Sequence, residues 1–207
     1  MSHPPRLWKA LLVAGLVSGI VHVHAQEQQQ LPRKSWDSLL VLWRNYCQTD
    51  SRPQGEELRT YLRSDGSFDL KDAERYELVL DWLTSYCLDS LCLRIGRCDT
   101  ISMDIGFGLL SIAPGPLVVD IFESMGETIH TNPRFFLWSL RMNEKDAGRA
   151  ARIAVYCKHS FDNPSAKRRH FQDRIDCLAA ICDPELRDLK KECILEIKQH
   201  LEALFGQ

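Results

Sequence analysis

Eight cysteines carry the most definite chemistry in this chain: Cys47, Cys87, Cys92, Cys98, Cys157, Cys177, Cys182 and Cys193. An even number in a chain with an export signal reads as a disulfide framework. They form two groups of four on either side of a cysteine-free stretch. No C-x2-C is present, and the intervals of five and six residues do not match common zinc knuckles. Disulfides are therefore expected, and no metal ligation. A pair five residues apart cannot bridge within an intact helix, because the Cβ atoms must come within about 3.8 Å. Cys87/Cys92 and Cys177/Cys182 must then bridge between elements or sit at helix ends. Cys47–Cys87 with Cys92–Cys98 is one pairing for the first group. Cys177–Cys193 with Cys157–Cys182, or Cys157–Cys193 with Cys177–Cys182, would serve the second. The sequence leaves connectivity open.

Other catalytic patterns are missing. There is no G-x-S-x-G elbow, H-E-x-x-H helix, Gly-rich phosphate loop or EF-hand loop. Gly106-Phe107-Gly108 is a lone G-x-G inside an apolar run and reads as a place for close helix packing. Phe122-Glu123-Ser124-Met125-Gly126 resembles the Glu-Ser segment of lytic transglycosylases over those few residues. The resemblance implies a glycan-cleaving enzyme with Glu123 as general acid. The Gly-Leu-Met-Gln segment that follows in that family does not appear here. The plainer reading makes Glu123 a solvated residue on a helix whose other face holds Val118, Ile121 and Phe122. His130, His159, His170 and His200 are scattered, with no pair at i,i+4 spacing, so no metal site and no cofactor are expected from them.

The most local surface signal is Lys167-Arg168-Arg169-His170, in the first turns of an expected helix. A basic cluster beside free backbone N–H groups suits an anion. These four residues are the candidate binding site, for an unknown protein or another anionic macromolecule. Phe135, Phe136 and Trp138 on a short helix read as core residues.

Residues 1–25 have the three parts of a secretory signal peptide: Arg6 and Lys9, an apolar run over residues 10–21, and Val23-His24-Ala25 as a cleavage site. Without Arg6 and Lys9 the chain has 24 Lys+Arg against 28 Asp+Glu. That mild acidity argues against a nucleic-acid binder. No stable membrane insertion is expected after cleavage, since about 20 apolar residues are needed to span. A periplasmic or secreted location follows. The lack of an N-x-[ST] sequon with x other than Pro after residue 25 favours the periplasm.

The elements that would position these residues read as helices throughout. Residues 26–34 are a polar tether, and residues 35–207 form one domain. Trp36, Leu39, Leu40, Trp43 and Cys47 recur at helical spacing. A short helix is expected over 56–63, and a longer one from Asp69 to Leu88 with Ala73, Tyr76, Leu80, Leu83 and Cys87 inside. Residues 92–100 read as irregular. Asp104 to Met125 reads as two buried helices about a Pro114-Gly115-Pro116 corner. Asn132-Pro133, Asn163-Pro164 and Asp183-Pro184 each place a capping side chain before a proline, a helix start signal. They predict helices over 133–142, 164–182 and 184–204. Residues 144–159 carry a stripe of small residues: Ala147, Ala150, Ala151 and Ala154. Leu186, Leu189, Cys193, Ile197, Leu201 and Leu204 form a clean last stripe.

The expected fold is all-α: packed helical hairpins cross-linked by disulfides. The 31-residue interval between the two Asn-Pro starts suggests a short solenoid of the TPR or HEAT type, without the signature residues of either. The expected role is that of an exported binding protein with no catalysis of its own.

Overall fold

The computed structural model describes residues 33–49, 51–64, 67–68, 77, 81, 88–110, 116–158 and 163–206. The expected signal segment, most of the tether, most of the helix from Asp69 including Cys87, the Pro114-Gly115 corner and His159 lie outside the described residues. The chain divides into two compact units, residues 1–33 with 65–67 and residues 34–64 with 68–207. All the described helices belong to the second.

The described residues are all-α, apart from two two-residue strands, β1 (Arg33–Lys34) and β2 (Ser67–Phe68). Eight α-helices are described: α1 (Trp36–Thr49), α2 (Arg52–Arg63), α3 (Leu88–Gly96), α4 (Thr100–Leu110), α5 (Pro116–Thr131), α6 (Pro133–Ala147), α7 (Pro164–Ala179) and α8 (Arg187–Phe205). Short 3-10 helices cover Gly148–Val155 and Pro184–Leu186. No helix among the described residues is long and apolar enough to cross a membrane.

Helix starts follow the capping chemistry. Phe135 N donates to Asn132 Oδ1 at 3.0 Å, Ala166 N to Asn163 Oδ1 at 2.8 Å, and Glu185 N to Asp183 Oδ1 at 3.0 Å. Each side chain thus takes one of the N–H groups that a helix start leaves without an intrahelical partner. Two starts come earlier than the sequence suggests. Ser51 stands extended before α2, with Pro53 in the first turn. Asp99 Oδ1 accepts from Ser102 N at 2.7 Å and starts α4 four residues before Asp104.

Residues 92–96, expected to be irregular, are helical. Leu88, Leu91 and Ile95 are buried at i, i+3 and i+7, and this stripe carries α3 as far as Gly96. The chain then turns at Cys98, whose φ is 61°. The expected helix over 144–159 is divided: α6 ends at Ala147 and the 3-10 helix takes over, with Ala151 and Ala154 buried.

The centre is α4. Ile101 to Phe107 and Leu109 are all buried, so it is enclosed on every side. Its neighbours are α2, α3, α5 and α6. Gly106 and Gly108 set how close they come. A Cβ on Gly106 would lie 2.6 Å from Met125 Cε, and one on Gly108 would lie 2.9 Å from Leu62 Cβ. Phe136, Leu137 and Leu140 bring α6 into the same core, with Phe135 and Trp138 partly buried against it. On the other side, α5 packs against the 3-10 helix 148–155 and α7, and α7 pairs with α8.

One carboxylate lies inside this apolar centre. Asp104, 7% exposed, accepts from Arg59 at 3.2 Å, Arg63 at 3.0 Å and Asn143 Nδ2 at 2.9 Å. Arg63 also donates to Asn143 Oδ1 at 2.5 Å. This network ties α2, α4 and α6 together. Replacing Asp104 with Ala should cost on the order of 2–4 kcal/mol, because it strands several donors at once. Asp104→Asn keeps an acceptor and should cost less. Urea midpoints of the two variants check this; equal midpoints would contradict it.

Candidate functional site

The densest group of chemically capable side chains lies where α5, α7 and the end of the 3-10 helix meet. Helix α5 supplies Glu123, Glu127 and His130. Helix α7 supplies His170 and Arg174. Lys158 follows the 3-10 helix. Arg174 is brought inside by its place in the stripe Phe171, Arg174, Ile175 and Leu178, all buried at i, i+3, i+4 and i+7.

Arg174 has no exposed side-chain surface. One guanidinium nitrogen donates to the carbonyls of Ala154 at 3.2 Å, Val155 at 2.8 Å and Cys157 at 3.3 Å. The other donates to Glu127 Oε1 at 3.3 Å. Gly126 makes room for this arrangement: a Cβ there would strike the Ala154 carbonyl and lie 2.7 Å from the guanidinium. Lys158 Nζ adds a second cation, 3.2 Å from Glu127 Oε1 and 2.5 Å from Glu123 Oε1. His170 Nε2 approaches Glu127 Oε1 at 3.6 Å. The rings of His130 and His170 have centroids 4.7 Å apart.

The charges set the protonation states. Burial would raise the Glu127 carboxyl, but Arg174, then Lys158 and His170, outweigh it and hold it below the usual range. Burial, then the Arg174 charge, lowers His130. The same two causes push His170 down to about 4, against the opposing pull of Glu127. Both imidazoles are therefore neutral at pH 7. Lys158 is raised: burial works against its charge, but the two glutamates overcome it.

The structure separates the four residues of the basic run. Arg168 and Arg169 are exposed and line an open groove of about 450 Å³ whose apolar wall is Phe205. The Arg168 guanidinium sits 4.9 Å above the Phe205 ring. Lys167 lies near His200, whose imidazole is lowered by burial and then by the Lys167 charge. His170 turns inward to His130 and Glu127. Glu123 stands in the body of α5, held by Lys158, and does not line the Phe205 groove.

The expected disulfide framework is not formed among the described cysteines. Cys92, Cys98, Cys157, Cys177 and Cys182 are thiols. Four of them lie against oxygen atoms. Cys92 and Cys157 lie against successive carbonyls of α5, Asp120 at 3.7 Å and Val119 at 3.9 Å. Cys98 faces the Thr131 hydroxyl at 3.8 Å, and exposed Cys182 donates to the Ala180 carbonyl at 3.6 Å. Burial pushes the Cys92 and Cys157 thiols up, which disfavours the reactive thiolate. Cys193 is buried and Cys47 half-buried on their helices.

Glu127, His130, Lys158 and Arg174 were not singled out by spacing between histidines. The readable signals were Glu127-x-x-His130 on one helix face and an arginine within the apolar stripe of α7.

A histidine lowered by burial takes up a proton on unfolding. It contributes stability that is fully present above its unfolded pKa of about 6.5 and is lost as pH falls towards 4. The groups facing His170 are Glu127 and His130 on α5, Arg174 on its own helix and Lys158. Glu127, held low, adds to the loss at the acid end. For His170, unfolding free energy should fall between pH 6.5 and 4 by about 1.4 kcal/mol per pH unit. His170→Gln should remove one histidine's share of that slope. Denaturant titrations across this range test it, and an unchanged slope would count against the burial.

No protein-family model, no curated protein and no solved structure matches this chain.

Proposed function

We propose that this chain is an exported binding protein, built of packed helical hairpins in a short solenoid-like series, that holds an acidic partner without catalysing a reaction on it. The observation that supports this is the groove at the start of α7. Two exposed arginines, Arg168 and Arg169, flank an aromatic wall, Phe205, in a chain that carries a slight net negative charge. Basic groups near a helix N-terminus oppose the macrodipole, and Asn163 already caps this end. The arginines therefore gain little from the helix, and their fork-shaped guanidinium groups suit carboxylates. The aromatic wall suits an apolar residue next to the acidic ones. The preferred partner is an acidic protein segment carrying an apolar or aromatic side chain.

A fluorescent Glu-rich peptide with one Phe is the probe. The parent chain should bind it more weakly as salt rises, since exposed charges are screened beyond about 10 Å at 0.1 M. Arg168→Gln with Arg169→Gln should weaken binding about tenfold, at roughly 1 kcal/mol or less for each exposed pair. Lys167→Gln should do less, because Lys167 does not line this groove. Helical circular dichroism should not change. Equal affinity in parent and double variant removes this groove from the reading. Release of fragments from peptidoglycan, lost in Glu123→Gln, would overturn the non-catalytic part.

Export belongs to the same reading. It rests on the leader-like residues 1–25. Intact-mass analysis of the chain recovered from a periplasm or culture medium should show these residues removed after Ala25. Their retention would remove export from the reading.

A further inference from the structure

We propose that Glu127, His130 and His170 form a binding site for a borderline transition-metal dication, zinc first among them. Each residue offers one ligand atom, and the three atoms lie within 4.8 Å of one another. Glu127 and His130 stand at i and i+3 on one face of α5, and His170 reaches them from α7. Zinc binds imidazole nitrogen and carboxylate oxygen at about 2.0–2.2 Å. The three donors therefore need to close by only a small side-chain adjustment, with water completing a four-coordinate shell. A second observation points the same way. His130 Nε2 is buried and has no hydrogen-bond partner among the described residues. A buried ring nitrogen in that state costs free energy unless something binds it.

The surrounding charges select the kind of ion. Glu123 and Glu127 are balanced by Lys158 and Arg174, so the site offers a cation no surplus negative charge. Calcium and magnesium depend on several oxygen ligands, and here they would find one carboxylate already shared with two cations. Zinc, nickel and copper gain from imidazole nitrogen and depend less on net charge. Lys158 is the competitor, because its ammonium lies 3.2 Å from the same Glu127 oxygen. Glu123 already holds that ammonium and gives it a place to stay when Glu127 turns to the metal.

Titration of the full chain with zinc chloride, and separately with calcium chloride, followed by calorimetry, tests the site. Thiolates also take zinc, so the parent is compared with variants that keep every cysteine. The parent should bind one zinc ion more than His130→Gln or His170→Gln, and should show no calcium binding at this site. Lys158→Met removes the competing cation and should tighten that one ion by about tenfold or more. It does so without touching a ligand, so the proposal remains testable even where a histidine variant fails to fold. Equal zinc stoichiometry in the parent and a folded His130→Gln variant, or a Lys158→Met chain that binds zinc no more tightly, would overturn it.

Discussion

A guanidinium buried without exposed surface is the constraint on which the C-terminal half of this molecule depends. Moving a charged group out of water costs several kcal/mol even after relaxation. Arg174 is tolerated there because its donors meet a ready set of acceptors. The carbonyls of Ala154, Val155 and Cys157 come at the end of a 3-10 helix, where carbonyls lack intrahelical partners. Glu127 supplies the opposite charge. Among the described residues, one guanidinium nitrogen, Nε, has no hydrogen-bond partner. Arg174 therefore caps one element, neutralises a second and belongs to a third. Exchange for lysine would keep the charge but lose the planar fork that reaches carbonyls and carboxylate together.

That arrangement dictates its surroundings. Carbonyls 154, 155 and 157 can converge on one side chain only if the backbone there leaves the α-helical course, in which they would point along the axis. The alanine stripe passes from α6 into the 3-10 helix instead of running as one continuous helix. Convergence also brings the 3-10 backbone against α5, and only a residue without Cβ fits there, hence Gly126. Helix propensity alone would favour Ala at a mid-helix position by about 1 kcal/mol. Direct contact with a carbonyl and a guanidinium outweighs that preference. The neutral state of His130 and His170 is a further consequence, since Arg174 and burial act on both in the same direction.

Much of the fold was legible because apolar spacing and capping are local. Trp36, Leu39 and Trp43 announce α1, and all three are buried, although Tyr46 rather than Cys47 continues the stripe into the core. The three capping residues before proline all do what their chemistry suggests. The last stripe fades outward: Cys193 and Ile197 are buried, while Leu204 is 43% exposed. The candidate site was not legible in the same way. His130 and His170 are forty positions apart on different helices, and only tertiary packing brings them into contact. Residues 92–96 read as irregular in the sequence because Gly96 and the cysteines at 92 and 98 obscure the Leu88, Leu91, Ile95 repeat. The inward turn of His170, away from Arg168 and Arg169, follows from helix geometry. Four consecutive residues on a helix spread around nearly the full circumference, so a basic run cannot face one partner as a unit.

The two buried charge centres differ in a way that bears on what each half can do. Around Asp104, one carboxylate meets Arg59, Arg63 and Asn143, and its polar contacts serve to hold α2, α4 and α6 in one register. Around Arg174, two acids and two bases balance, yet two imidazoles remain beside them, and one has a buried nitrogen that no described group engages. A structural clasp needs no such surplus. Replacing both histidines by aromatic residues would fill the same space without burying ring nitrogens, so packing alone does not account for their presence at this junction. The first centre is closed by its own partners, whereas the second has a donor set that its partners leave incomplete. The proposed metal site therefore lies between α5 and α7, although the most conspicuous apolar run lies around α4.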